Sequence, residues 1–223
     1  MFIPKEDRPT DWIEELYSAS NKNGDGIPWA NMDIHPDFQE WLQNNKLNGI
    51  GKTALVVGCG MGDDAIELET FRFDVTAFDV SEAAIKYCNA RFPHSKVDFL
   101  VANLFDANPQ WTQQFDFVLE IYTIQALPPK YEDDVIRKIS SYVALSGQLL
   151  VITLVSEDER HFEFGPPWLL TSNHINAFVS FGFKTIGKSG MKRAQNGNYT
   201  YVTLFQKEDP YNTNSNPLED VLK

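Results

Sequence analysis

The sequence predicts an α/β fold: a three-layer sandwich around a mostly parallel, seven-stranded sheet that ends in an antiparallel hairpin. Three observations predict it. Between residues 53 and 155, short continuous apolar runs alternate with longer amphipathic segments, as strands covered on both faces and joined by crossover helices require. A glycine-rich turn, GCGMG at 58–62, stands between the first apolar run and the first amphipathic one. Past residue 155 the alternation gives way to a loop, a helix and two strands split by a polar stretch, the pattern of an antiparallel pair.

The elements follow in order. Helical patterns over residues 10–18 and 36–42 flank the turn-rich NKNGDGIPWANMD at 21–33. The alternation then runs TALVV, DDAIELETF, VTAFD, SEAAIKYCNARF, VDFLV, FDFVLE, YEDDVIRKISSYV and QLLVITLV. In the segment 131–143, Val135, Ile136, Ile139 and Val143 recur at helical spacing, and Glu132, Asp133 and Asp134 occupy the first turn, where the helix dipole favours them. Ser81 reads as a helix N-cap, but Ala84 three positions on rules out the full capping box. A helix over 171–181 and strands over 183–187 and 199–206 complete the set, the strands joined by KSGMKRAQNGN. Residues 1–207 are expected to form one domain, with 1–50 as a helical cap over the ligand site, and 208–223 a polar C-terminal tail.

Composition narrows the function. A chain of 223 residues that is 43% hydrophobic can bury a sizeable core. Lys+Arg 19 against Asp+Glu 31 gives a net charge of -12, a field that repels polyanions and anionic lipid and argues against nucleic-acid and membrane partners. Lys184, Lys188, Lys192 and Arg193 read as a solvated face rather than a basic groove. Cys59 and Cys88 make neither a disulfide framework nor paired metal thiolates, which fits a reducing compartment. His35, His94 and His174 show no ligand spacing, so no metal is expected. MFIPKEDRPTDW lacks the apolar core of a secretion signal, and the longest apolar stretch, LLVITLV, is too short to span a bilayer; a cytoplasmic protein is expected. No signal bears on oligomeric state.

The glycine turn carries the chemistry. Gly58, Gly60 and Gly62, with Cys59 among them, fall at the carboxyl edge of the first strand, where open α/β sheets bind ligands. A dinucleotide fingerprint needs a third glycine at position 63; Asp63 stands there and Asp64 follows, and two carboxylates at a helix N-terminus repel a pyrophosphate. A ligand with a cationic amine and no phosphate suits the turn, and S-adenosylmethionine is such a ligand. The second strand ends at Asp79, followed by Val80, where a carboxylate can accept both ribose hydroxyls. Past the third strand, Asn103 falls near the adenine, with Leu104 and Phe105 supplying apolar contact. The competing readings are a turn made for close packing and an ordinary strand-to-loop transition.

The blocks ALVVGCGMGDDAIELETFRFDVTAFDVS and FDFVLEIYTIQALPPKYEDDVIRKISSYVALSGQLLVIT resemble the class I S-adenosylmethionine-dependent methyltransferases, which are Rossmann-like. The form LVVGCGMGDD, with IPW, IQALPP and GPPWLLT, is most similar to the branch containing thiopurine, thiol/halide and tellurite-resistance methyltransferases; the likeness runs from residue 24 to 205. It implies an S-adenosyl-L-methionine cofactor and in-line methyl transfer to a small-molecule acceptor such as a thiol or halide, which needs no dedicated base. Many class I members carry an acid two positions before the first glycine; here Val56 stands there, and Asp64 or Glu120 is expected to meet the methionine amine instead. Trp29 is the expected aromatic lid, since an aromatic face stabilises a sulfonium as it does an ammonium. Pro166, Pro167 and Trp168 are expected at the acceptor pocket, and Tyr122 and His161 are the candidate proton-accepting or orienting groups. LPPKY lacks the Asn or Asp that precedes the prolines in amino-methylating nucleic-acid enzymes, and neither a phosphate loop nor a nucleophile-elbow serine occurs. Two alternatives stay open: a binding module without catalysis, and a methyltransferase with a protein or RNA acceptor.

Overall fold

A computed structural model describes residues 8–211 apart from 107, 157–159, 161–164 and 194–198. One sheet of seven strands organises it, in the order β3-β2-β1-β4-β5-β7-β6. The strands are β1 (Thr53–Val57), β2 (Asp74–Asp79), β3 (Asp98–Val101), β4 (Phe115–Ile121), β5 (Val143–Val155), β6 (Phe183–Arg193) and β7 (Tyr199–Lys207). Strands β1 to β5 pair in parallel, and β7 runs antiparallel to both of its neighbours. The chain winds outward from β1 to β3 and then restarts on the other side of β1 with β4. That reversal opens a crevice at the carboxyl ends of β1 and β4, which fixes where a ligand sits.

The continuous apolar runs have a two-sided cause. Leu55 and Val57 face a core shared with Val118, Val151 and Phe205 and closed by Val135, Ile136 and Ile139 of α5 (Glu132–Tyr142). Ala54 and Val56 face the opposite core, with Phe117, Leu119 and Ile152, covered by α2 (Pro36–Asn44), α3 (Asp63–Thr70) and α4 (Glu82–Arg91). A third cluster joins Trp12, Leu16 and Tyr17 of α1 (Asp11–Ser18) to Ile27, Met61 and Ala84, so the N-terminal helix lies against the glycine turn.

Ser81 caps α4 as expected, its Oγ accepting the Ala84 N–H at 3.0 Å. In place of a capping box, the Ser81 N–H goes to Asp79 Oδ1 at 2.9 Å, and the Glu14 carboxylate of α1 accepts the Ser81 hydroxyl at 2.7 Å and the Ala83 N–H at 3.3 Å. A negative charge at the α4 N-terminus is thereby supplied across the fold, and it pins α1 beside the crevice.

Two boundaries differ from the sequence reading. The helix expected over 171–181 is α6 (Ser172–Ala177) followed by a 3-10 turn at Phe178–Phe181. Strand β6 runs on to Arg193 instead of stopping at 187, paired with β7 as far as Arg193↔Tyr199. Its polar stretch reads as a turn, but β6 is the outermost strand, where polar residues are tolerated and backbone pairing decides the length. The side chains of Lys188, Lys192 and Arg193 lie outside the described set, as do residues 212–223 of the expected tail. No helix among the described residues is long and apolar enough to cross a membrane.

Candidate functional site

The crevice holds a cavity of about 390 Å³, within the usual range for small-ligand sites. Its floor is the glycine turn. Gly58 has φ +62° and Gly62 φ +89°, a region that side-chain-bearing residues rarely adopt. At Gly58 a Cβ would stand 2.6 Å from Thr123 Oγ1, and that hydroxyl donates to the Val57 carbonyl at 3.0 Å, clamping the end of β1. At Gly62 a Cβ would meet Cys88 Sγ at 2.9 Å. The turn is therefore bare for steric reasons as well as conformational ones, and a ligand can lie directly on backbone. Cys59 and Gly60 line the same cavity.

Asp79 stands at the end of β2, buried, with both oxygens engaged: Oδ2 accepts the Gly60 N–H at 3.0 Å and Oδ1 the Ser81 N–H at 2.9 Å. Burial raises its pKa, opposed by those backbone donors. Each carboxylate oxygen keeps lone pairs for a further donor, which suits a pair of hydroxyls. Asp79 and Gly58 also line a smaller adjoining cavity of about 50 Å³ with Val80, Asn103, Leu104 and Phe105. The expected cofactor-binding residues after β2 and β3 are thus brought together. Asn103 Oδ1 accepts the Phe105 N–H at 3.0 Å and so shapes its own loop.

The two aspartates after the glycines part company. Asp63 is held by a fork of bonds from Arg91, at 2.8 and 2.6 Å, and the same guanidinium donates to the Met61 carbonyl. Asp64 lines the cavity and accepts the His35 N–H at 2.8 Å; burial pushes its pKa up to about 7. Glu120, the other expected partner for an amine, is corrected by the structure. It is fully buried and does not line the cavity; its Oε1 accepts the N–H groups of Thr123 and Ile124 at 2.7 and 3.1 Å, capping a 3-10 turn at Ile124–Ala126. Its Oε2 has no partner among the described residues, and burial raises its pKa to about 7.

Trp29 lines the cavity and is 42% exposed, its indole N–H donating to the Tyr17 hydroxyl at 2.9 Å and its ring edge-on to Trp12 at 5.9 Å. Tyr122 also lines the cavity, with φ +60° at the end of β4; its hydroxyl is bonded to Thr200, and burial raises its pKa, so the phenol stays protonated at neutral pH. His35 packs edge-on against that ring at 5.1 Å. Its Nδ1 accepts the Asp37 N–H at 3.3 Å, and burial lowers its pKa, so the ring is neutral with its proton on Nε2. Pro166 and Pro167 reach the cavity; Trp168 is buried beside it and holds the loop by donating its N–H to the Gln125 carbonyl at 2.8 Å. His161 lies outside the described residues.

Sequence reasoning missed Trp12, Tyr17 and His35, which line the cavity without forming any motif, and gave no site role to Gln125 of IQALPP, which lines it too. Among the described residues, its walls carry Asp33, Asp63, Asp64 and Asp79 and neither Lys nor Arg. That set of carboxylate acceptors fits a cationic nucleoside and opposes a pyrophosphate. No group of three or more metal-ligating side chains occurs among the described residues.

Residues 54–147 match the family described as "Methyltransferase domain". The chain is 24% identical over 106 residues to the "Probable S-adenosyl-L-methionine-dependent methyltransferase TehB" of Haemophilus influenzae (strain 10810), a match covering 47% of this chain and 37% of that relative's length. It is 25% identical over 180 residues to thiocyanate methyltransferase 1 of Arabidopsis thaliana, covering 78% of this chain and 72% of the relative. Among solved structures, a 1,6-didemethyltoxoflavin-N1-methyltransferase of Burkholderia thailandensis superposes with a TM-score of 0.68 at 16% identity, covering 94% of each chain. The fold is shared, and the resemblance read from the glycine motif and the β4–β5 block stands.

Proposed function

We propose, from the match of residues 54–147 to the methyltransferase domain family, that the chain transfers a methyl group from S-adenosyl-L-methionine to a small-molecule nucleophile, a thiol in the first instance. The observation that carries the reading is the crevice itself: a glycine turn open to a ligand, a buried strand-end carboxylate in Asp79, and acidic walls among whose described residues there is neither Lys nor Arg. The thiol preference is supported by relatives named for thiocyanate and thiol methyl transfer. Residues 1–207 act as one unit, with the segment before residue 50 as its cap.

When bound, the cofactor supplies an electrophilic methyl on a sulfonium. The protein's residues do the rest. Asp79 accepts the ribose hydroxyls, and Val80, Asn103, Leu104 and Phe105 flank the base. Asp64 meets the methionine ammonium in place of an acid at position 56. Trp29 closes over the sulfonium end. Held by these residues, the cofactor would present that methyl in line to the acceptor sulfur, whose proton would pass to solvent. Alignment in a water-poor crevice supplies most of the acceleration, up to roughly 7–11 kcal/mol.

Calorimetry with S-adenosylmethionine and S-adenosylhomocysteine tests binding, and a thiol panel followed by S-adenosylhomocysteine release tests turnover. Binding with turnover is the expected result. Binding without turnover of any small acceptor identifies a sensor or a macromolecular acceptor, and absence of binding to either nucleoside overturns the reading.

A further inference from the structure

His35 stands immediately before α2 and lines the crevice, held in place by two bonds. Its backbone N–H goes to Asp64 Oδ1 at 2.8 Å, and its Nδ1 accepts the Asp37 N–H at 3.3 Å, capping α2. A backbone N–H can only donate, so Nδ1 keeps its lone pair and the proton of the neutral ring sits on Nε2. The ring is half-buried against Tyr122, with centroids 5.1 Å apart. Among the described residues Nε2 has no hydrogen-bond partner, and it is not one of the partnerless atoms sealed from solvent, so it keeps accessible surface. A donor aligned by its own ring and open to a ligand is thus present on the crevice wall.

We propose that His35 is a catalytic donor: its Nε2–H bonds the acceptor sulfur and holds it as the thiolate that attacks the methyl group. This deepens the methyl-transfer reading and rests on it. The position follows from the sheet. Asp79 ends β2 on one side of β1, whereas Tyr122, His35's neighbour, ends β4 on the other. A nucleoside with its ribose at Asp79 lies across the glycine turn, so its sulfonium end and the acceptor meet on the β4 side, the side of Pro166 and Pro167. The need follows from the nucleophile. Only the thiolate of a thiol attacks, and among the described wall residues neither Lys nor Arg stabilises one. Other hydroxyls on that side are occupied: Thr123 donates to the Val57 carbonyl, and Tyr122 is bonded to Thr200. His35 is not the base. The thiol proton leaves to solvent, Nε2 keeps its own proton, and the electron pair stays on sulfur for the new bond to carbon.

The test uses the full chain and follows kcat against pH at saturating acceptor, where the profile reports groups in the bound complex. The probes are 2-mercaptoethanol and the more acidic 2,2,2-trifluoroethanethiol. An acid limb that belongs to the bound thiol moves with the thiol chosen; a limb of His35 itself, or of Asp33, Asp37, Asp64 or Tyr122 around its ring, does not. The wild-type limb is expected to move with the thiol. His35→Phe keeps a ring against Tyr122 and removes the donor, whereas His35→Gln returns an N–H near the place of Nε2. Both lose the ring nitrogen that caps α2, so a merely structural role moves both alike. The limb is expected to rise by about one to two pH units in His35→Phe, the size of one hydrogen bond to a charged group, and to return to the wild-type position in His35→Gln. The same order is expected in the ultraviolet thiolate absorbance of each thiol bound beside S-adenosylhomocysteine, which needs no turnover and decides alone where neither thiol is turned over. A limb that ignores the thiol, ionisation unmoved by His35→Phe, or an equal shift in both variants overturns the assignment while leaving S-adenosylhomocysteine binding intact. Failure of the wild type to bind S-adenosylhomocysteine instead removes the methyl-transfer reading beneath it.

Discussion

Asp79 and Gly60 are tied across the crevice floor: the carboxylate Oδ2 accepts the Gly60 N–H at 3.0 Å, so one side chain both fixes the glycine turn and presents its remaining lone pairs to a ligand. Asp79→Ala is expected to weaken S-adenosylhomocysteine binding by about 1.5–3 kcal/mol, the range for hydrogen bonds to a charged group. Titration calorimetry reads it, and an affinity equal to wild type would show that Asp79 serves the turn alone.

Glu120 makes the folded state pH-dependent. Its pKa is raised from 4.5 to about 7, so the folded chain holds this proton more tightly than the unfolded chain does. Its contribution is most favourable below pH 4.5 and is lost as pH rises towards 7; Asp64, raised from 3.8 to about 7, adds the same sign. Glu120→Gln keeps an oxygen for Thr123 and Ile124 and removes the ionisation. The variant is expected to gain on wild type between pH 5 and pH 8, by on the order of 2 kcal/mol. Denaturant midpoints at the two pH values measure the gap, and a gap that does not widen counts against this account.

Trp29 presents a half-exposed indole to the cavity, braced by Tyr17. If its face meets a sulfonium, Trp29→Ala costs S-adenosylmethionine about 0.5–2 kcal/mol of affinity and the uncharged S-adenosylhomocysteine much less. Equal losses for the two nucleosides would mark Trp29 as a packing residue.

Arg91 joins α4 to the glycine turn through Asp63 and the Met61 carbonyl, with both side chains of the ion pair largely buried. Arg91→Met leaves the Asp63 carboxylate partly buried and unmatched. A loss of about 1–3 kcal/mol in unfolding free energy is expected, with Asp63→Asn restoring part of it in the double variant. Chemical denaturation of the four members of that cycle decides it; additive losses would show that the pair is not coupled.

The parts of the site that sequence reveals are those imposed by backbone. Gly58 and Gly62 stand where a side chain would collide, and Asp79 stands where a parallel strand ends, so each leaves a local trace. Gln125, His35 and Tyr17 come from three separate segments and share the crevice only because α1, α2 and the turn after β4 converge there. No spacing encodes that convergence. Glu120 shows the converse: an acid at a strand end reads like a ligand group, yet its face of β4 turns it under a 3-10 turn. The polar stretch of β6 misleads for a related reason, since pairing with β7 rather than side-chain pattern sets its length.

The place of β7 bears on how the chain is made. Among the described strands it is the last to be synthesised, yet it is inserted between two strands made before it. Until residues 199–207 emerge, the nascent polypeptide carries β5 with an open hydrogen-bonding edge and β6 with nothing to pair to. A chain ended before residue 199 would leave a template for self-association instead of a shorter folded protein, so termination upstream of β7 does the harm.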